Sequence, residues 1–140
     1  MVNPAKYPPT FTSSRETIVA AYTGGFVDLD LGSLPPGDYA ISVVIAADVV
    51  SGVSPPENHD LFCVLDTVPA SPLGKASQTT FPPLGSNGNA FAEMPMLATL
   101  STPNPLSVRA RCEVSPTTNS PYVRFAATMV ATATSQIIQL

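Results

Sequence analysis

Charged side chains are scarce in this sequence. Asp, Glu, Lys and Arg make up 11% of its 140 residues, against roughly 25% in typical soluble domains. The six Lys and Arg residues are spread along the chain, and the formal net charge is −4. Binding a phosphate backbone requires clustered cations, so we expect no nucleic-acid partner. We expect Arg109, Arg111 and Arg124 to form ion pairs or a small solvated patch.

Residue types that carry out catalysis are also rare. The chain has one histidine, two cysteines and no tryptophan. His59 lies in a polar loop sequence, and no G-x-S-x-G motif supplies a serine nucleophile, so we expect a solvated His59 side chain. One histidine and two distant cysteines do not make the four ligands of a zinc site, and the aspartates lack the spacing of an EF-hand. We therefore predict no catalytic, metal-binding or cofactor-binding residues, and a protein that is not an enzyme.

Long apolar runs are missing as well. No segment approaches the ~18 consecutive apolar residues that a membrane span requires. The first nine residues, MVNPAKYPP, are polar and interrupted by proline, unlike a signal peptide. We therefore expect no membrane partner and no secretion by the usual route.

The two cysteines, Cys63 and Cys112, fall at positions that we predict to face the core. A pair of this kind bridges the two sheets of an immunoglobulin domain. However, the sequence offers neither a signal peptide nor a tryptophan to pack on such a bridge. We favour two buried free thiols over a disulfide.

Proline, in contrast, is abundant. The chain contains 16 prolines, and Pro-Pro pairs at residues 8–9, 35–36, 55–56 and 82–83 border its apolar segments. Proline lacks the amide proton that a helix interior needs, and its ring clashes with the preceding turn. The sequence therefore predicts short extended segments joined by rigid turns.

Apolar residues between the prolines recur at every second position, which is the period of a strand buried on one face. Tyr39, Ile41 and Val43 alternate with Ala40 and Ser42, for example. The predicted strands span residues 15–23, 26–31, 39–50, 61–65, 76–81, 89–94, 96–100, 106–115 and 122–134. The first two are predicted to form a hairpin around Gly24-Gly25, and residues 96–100 and 106–115 a second hairpin.

This pattern predicts an all-β fold, an antiparallel two-sheet sandwich of about eight strands with either a jelly-roll or an Ig-like topology. We assign residues 15–140 to a single β-sandwich domain and residues 1–14 to an extended N-terminal arm. An arm of this kind can lie across another surface. Its candidate partner-binding residues are Pro4, Tyr7, Pro8, Pro9 and Phe11, and the long loop region 66–95 is a second candidate contact.

The surface of such a sandwich would be poor in charge, because 44% of the residues are hydrophobic. On the strand 39–50, the face opposite the core carries small and mixed side chains, which is typical of a sheet that is half covered by something else. We therefore expect a homo-oligomer or another protein partner.

In this overall character the chain resembles the small β-sandwich accessory proteins of virus particles, particularly the head decoration or cement proteins of tailed phages. The segments LPPGDYAISVVIAADVV and PLSVRARCEVS carry the resemblance, at the level of architecture. It implies a non-enzymatic structural protein of the virion that is assembled in the host cytoplasm. Such a protein would decorate or cement a phage capsid through arm and loop contacts with capsid or other virion proteins.

Adhesion modules and C1q-like sandwiches share the same pattern. The alternative function is therefore a carbohydrate-binding or cell-surface-binding module of the adhesin or receptor-binding type. Four tyrosines, Tyr7, Tyr22, Tyr39 and Tyr122, could form a stacking platform for sugars, although we favour edge or core positions for them.

Overall fold

The computed structural model describes residues 9–50, 58–71, 73, 75–84, 89–116 and 121–134. These residues form eight strands: β1 (Thr10–Val19), β2 (Val27–Leu34), β3 (Gly37–Val50), β4 (His59–Val68), β5 (Lys75–Phe81), β6 (Ala90–Thr102), β7 (Leu106–Ser115) and β8 (Tyr122–Ala133). Within the described ranges there is no helix long and apolar enough to cross a membrane.

The strands form two four-stranded antiparallel sheets. The first sheet has the order β1-β8-β3-β6, and the second has the order β2-β7-β4-β5. This interleaved order is that of an eight-stranded jelly roll rather than an Ig-like sandwich. The predicted all-β, two-sheet sandwich is therefore confirmed, and the strand order resolves its topology.

The core lies between the two sheets, as the alternating sequences require. In β3 and β7 every second residue is buried, including Val43 and Ile45 in the first sheet and Val108 in the second. Burying one such side chain contributes roughly 1.5–3 kcal/mol, so this alternation fixes which face of each strand points inward. Shifting one strand by a single residue would turn its apolar set toward solvent.

Both predicted hairpins are wrong. β1 lies in the first sheet and β2 in the second, and β6 and β7 are divided in the same way. The connections after β1 and β6 therefore cross from one sheet to the other. Glycine, proline and asparagine occur in hairpin turns and also in connections between sheets, because both types of connection need a tight change of chain direction.

β6 joins two segments that the sequence analysis separated at Pro95. The structure runs through this residue, and Pro95 pairs with Val44 of β3. A proline is tolerated in a strand at the edge of a sheet, where its missing amide proton faces away from the neighbouring strand. β6 is such an edge strand.

The prediction of free thiols is wrong. Cys63 in β4 and Cys112 in β7 are directly opposite each other and form a disulfide. Both residues are fully buried, as predicted. The bond connects neighbouring strands of the second sheet, so it does not bridge the two sheets as it would in an immunoglobulin domain.

Candidate interaction surface

The two outer faces of the sandwich differ in chemistry. The outer face of the second sheet carries a ladder of ion pairs. Arg109 donates two hydrogen bonds to the carboxylate of Asp66, at 2.9 and 3.0 Å, and the Nε atom of Arg111 lies 2.9 Å from Asp28. The hydrogen bond to Asp66 raises the pKa of Arg109 further above its ordinary range. Partly exposed pairs of this kind add little stability, but they give this face a charged surface.

The outer face of the first sheet, which we call the apolar face, consists of the outward side chains of β1, β8, β3 and β6. Seven of the ten exposed large apolar side chains of the described residues lie on it: Ile18, Val44, Val50, Phe91, Leu97, Tyr122 and Val130. Leu97 is 69% exposed. A cluster of exposed apolar side chains on one face is typical of a protein interface.

A groove crosses the apolar face near one end. Its volume is ≈ 490 Å³, and its lining includes Ala40, Ser42, Leu97, Thr99, Val130 and Thr132. The strand registers explain its shape, because Ser42 of β3 lies between Val130 of β8 and Leu97 of β6. Small side chains on the central strand form the floor, and the two larger apolar side chains form the walls. Lys75 of β5 also lines this groove.

A compact charge cluster occupies the opposite end of the apolar face. Arg124 of β8 pairs with Glu16 of β1 on one side and with Asp48 of β3 on the other, where its Nη2 atom lies 2.9 Å from the carboxylate. Hydrogen bonds to Glu16 and then to Asp48 raise the pKa of Arg124. The one positive charge of Arg124 therefore balances one of the two carboxylates of the cluster. The predicted ion-pair set of three arginines is confirmed, but it is divided between the two outer faces.

Two charged residues near the groove have no such partner. The side chains of Lys75 and Glu93 form no ion pair or hydrogen bond with any described residue. Both are exposed, and Glu93 lies on the apolar face two outward positions along β6 from Leu97. These two charges are free to pair with another molecule.

The predicted arm residues fall partly within the described chain. Pro4, Tyr7 and Pro8 lie outside the described residues, whereas Pro9 is exposed and its carbonyl oxygen accepts a 2.9 Å hydrogen bond from Ala133. Phe11 belongs to β1 and packs edge-to-face against Tyr39, with 6.0 Å between the ring centroids. Residues 10–14, assigned to the arm from the sequence, thus pair with β8.

The prediction of a solvated His59 is wrong. This residue begins β4, and its side chain is only 1% exposed. Its Nδ1 atom lies 2.9 Å from the carbonyl oxygen of Pro116, and its ring packs against Phe81 with 5.6 Å between the centroids. His59 is therefore a packed structural residue. Among the described residues, no three His, Cys, Asp or Glu side chains converge on one point.

The candidate residues named from the sequence do not include the main residues of the apolar face, which are Phe91, Leu97 and Val130. Of these, only Phe91 lies within the candidate region 66–95. Their sequence signal is weak but present. Each alternates with buried residues in β6 or β8, so each occupies an outward position where a solvated strand would carry a polar side chain. Alternation shows which side chains face outward, whereas their clustering depends on which strands become neighbours.

No protein-family model matches the chain, and no curated protein sequence matches it. Solved structures do match it. The globular domain of zebrafish complement 1qA protein is 14% identical, with a TM-score of 0.46, over 93% of this chain and 99% of that chain.

Two structures of infectious bursal disease virus also match, one of the Gt strain and one of the VP2 subviral particle. Their identities are 9% and 12%, with TM-scores of 0.26 and 0.22. Each match covers 91% of this chain and 41% of the viral chain. Likenesses of this size carry no functional argument, so the jelly-roll assignment rests on the strand order itself.

Proposed function

We propose that this chain is a non-enzymatic structural protein of a virus particle, which decorates or cements a phage capsid. The apolar face is the observation that carries this proposal. A face with Leu97 at 69% exposure and Val44 at 41% is unfavourable in water, and a partner surface would remove it from solvent. A structural protein of a particle needs such faces for its contacts with the shell or with further copies of itself.

Two further features support contacts with a shell. β1 begins at the groove end of the sheet, because Thr10 is aligned with Thr132, which lines the groove. An arm that starts there can extend to a neighbouring subunit. The region 66–95 contributes the exposed apolar side chains of Val68 and Leu84, outside the apolar face. Arm and loop region thus remain the proposed shell contacts.

The sugar-binding alternative has less support. Of the tyrosines that could form a stacking platform, Tyr22 and Tyr39 are buried, and Tyr7 lies outside the described residues. Only Tyr122 of the described tyrosines is exposed, at 43%. Sugar-binding platforms require accessible aromatic faces, so we retain this function only as an outcome of the test below.

The proposal is tested on purified particles of the virus whose genome encodes this chain. We expect mass spectrometry of gradient-purified particles to detect this protein at a constant ratio to the shell protein. Its absence from particles, together with saturable binding of the purified protein to a glycan array, would contradict the proposal and favour the sugar-binding module.

The role of the arm is tested with a deletion of residues 1–8. This deletion keeps β1 intact, whereas a longer one removes Phe11 and its contact with Tyr39. We expect the shortened protein to fold normally and to lose binding to particles from which this protein has been removed. Replacing Pro4, Tyr7 and Pro8 with alanine should weaken binding in the same way. Full binding by both variants would exclude the arm as a contact.

A further inference from the structure

We propose that two copies of this chain associate through their apolar faces about a two-fold axis. In this dimer, Phe91 of each copy lies against the groove of the other copy, and Glu93 lies close to Lys75 of the other copy. This inference goes beyond the proposed function, because it names the occupant of the apolar face. It leaves Val68 and Leu84 of the region 66–95, which lie outside the apolar face, free for other contacts.

The outward residues of β6 give the geometry. They follow one another as Phe91, Glu93, Pro95, Leu97 and Thr99. The strand registers align each of them with one outward residue on each neighbouring strand, and we call such a set of aligned residues a row. A two-fold axis that runs along the row of Pro95 exchanges the rows on either side of it. Glu93 then lies opposite Leu97 of the second copy, and Phe91 lies opposite Thr99. A closed dimer requires this kind of self-complementary exchange.

The shapes of the exchanged ends match. Phe91 projects from one end of the apolar face and is 41% exposed. Thr99 and Leu97 line the groove at the other end, which has a volume of ≈ 490 Å³. The exchange therefore places an aromatic side chain at the mouth of an apolar groove, twice in each dimer. Aromatic side chains in pockets are the usual anchors of protein interfaces.

The charges match as well. Lys75 lines the groove beside Leu97. The exchange that places Glu93 opposite Leu97 of the second copy therefore also brings it close to Lys75 of that copy. Neither side chain has an ion-pair partner among the residues that the structure describes. Complementary charges of this kind fix the register of an interface and guide association.

The rest of the face is compatible with the same exchange. The central row consists of Ser14, Thr128, Val44 and Pro95, which carry no charge. The row of the Arg124 cluster is placed opposite the row that contains Thr10, Thr132, Ala40 and Thr99, so no two like charges face each other. The charged residues thus lie away from the central row, which is compatible with an interface whose centre is depleted of charge.

Sedimentation equilibrium of the full chain and its charge variants tests the proposal. We expect the wild-type protein to form dimers. Reversal of one charge, by Glu93→Lys or Lys75→Glu, should raise the dimer dissociation constant about fivefold or more, because like charges then meet. Combining both reversals should restore dimerisation to near the wild-type level. The variant Phe91→Ala should weaken the dimer about tenfold or more.

A matched control is Gln78→Lys, which adds a positive charge at an exposed position of β5 on the other outer face. We expect this variant to dimerise like the wild type. All substituted side chains are exposed, so circular dichroism and thermal unfolding should show unchanged folds.

A wild-type protein that stays monomeric up to ~1 mM would overturn the proposal. So would dimers whose dissociation constant responds to neither single reversal, or a double reversal that is no better than the single ones. These results leave the virion assignment unaffected, because that assignment is decided by the presence of the protein in particles.

Discussion

The hydroxyl of Tyr22 accepts a 3.1 Å hydrogen bond from the backbone N–H of Val114, 92 positions further along the chain. The same hydroxyl donates to the carbonyl oxygen of Gly25 at 2.6 Å. Tyr22 lies in the connection from β1 to β2, and its ring packs edge-to-face on Phe125 of β8. One buried side chain therefore joins the crossing connection to both sheets.

We predict that Tyr22→Phe destabilises the fold by about 1–3 kcal/mol, because it leaves the buried N–H of Val114 without an acceptor. Urea unfolding followed by circular dichroism measures this change. The control is Tyr122→Phe, which removes an exposed hydroxyl and should change the unfolding free energy by less than about 0.5 kcal/mol. Equal effects of the two substitutions would contradict the structural role of Tyr22.

Stability should also fall at alkaline pH. Burial raises the pKa of Tyr22 above the ordinary value of 10.0, with a further contribution from Glu113, while the hydrogen bond from Val114 opposes the shift. The unfolded chain then releases the Tyr22 proton at a lower pH than the folded chain. This contribution to stability is fully present below pH ~10 and is lost as the pH rises through the folded-state pKa. Urea unfolding at a series of alkaline pH values should show a shallower decline for Tyr22→Phe than for the wild type.

The disulfide should contribute measurably to stability. It closes a loop of 49 positions between Cys63 and Cys112, for which the chain-entropy relation gives about 4 kcal/mol. We therefore expect the variant with both cysteines changed to alanine to unfold at a clearly lower urea concentration. The mass of the intact wild-type protein, measured after alkylation with and without reduction, checks the bond itself. Alkylation of both thiols in the unfolded, unreduced protein would show that they are free.

His59 supplies a prediction that separates a packed histidine from a solvated one. His59→Ala removes the ring contact with Phe81 and the hydrogen bond to Pro116, so we expect a loss of about 2–4 kcal/mol. His59→Phe keeps an aromatic ring and should lose only about 1–2 kcal/mol. Chemical unfolding of both variants measures the difference. Losses below about 0.5 kcal/mol in both would be the result expected of a solvated side chain.

Alternation in the sequence predicted the faces of the strands but not their neighbours. Val43 and Val108 were predicted to face the core, and both are fully buried. The pairing of β3 with β8 and β6, in contrast, depends on contacts between distant segments, which local periodicity does not contain. For the same reason, local sequence does not distinguish a connection that crosses between sheets from a hairpin turn.

The candidate surface was predicted only in outline. The scarcity of charge and the small outward side chains of β3 indicated a covered face. Its anchors, Phe91 and Leu97, come together with Val130 only when β6 and β8 flank β3. Cys63 and His59 were misjudged for a related reason. Their environments depend on Cys112 and Pro116, which lie far along the chain.

The coverage of the apolar face can be measured most directly by hydroxyl-radical footprinting of the wild-type protein at low and high concentration. At concentrations where the protein associates, we predict that oxidation of Phe91 and Leu97 falls. Phe26 and Leu84 are also exposed but lie off the apolar face, so they should react equally at both concentrations. Unchanged oxidation of Phe91 and Leu97 in the associated protein would show that this face is not the interface.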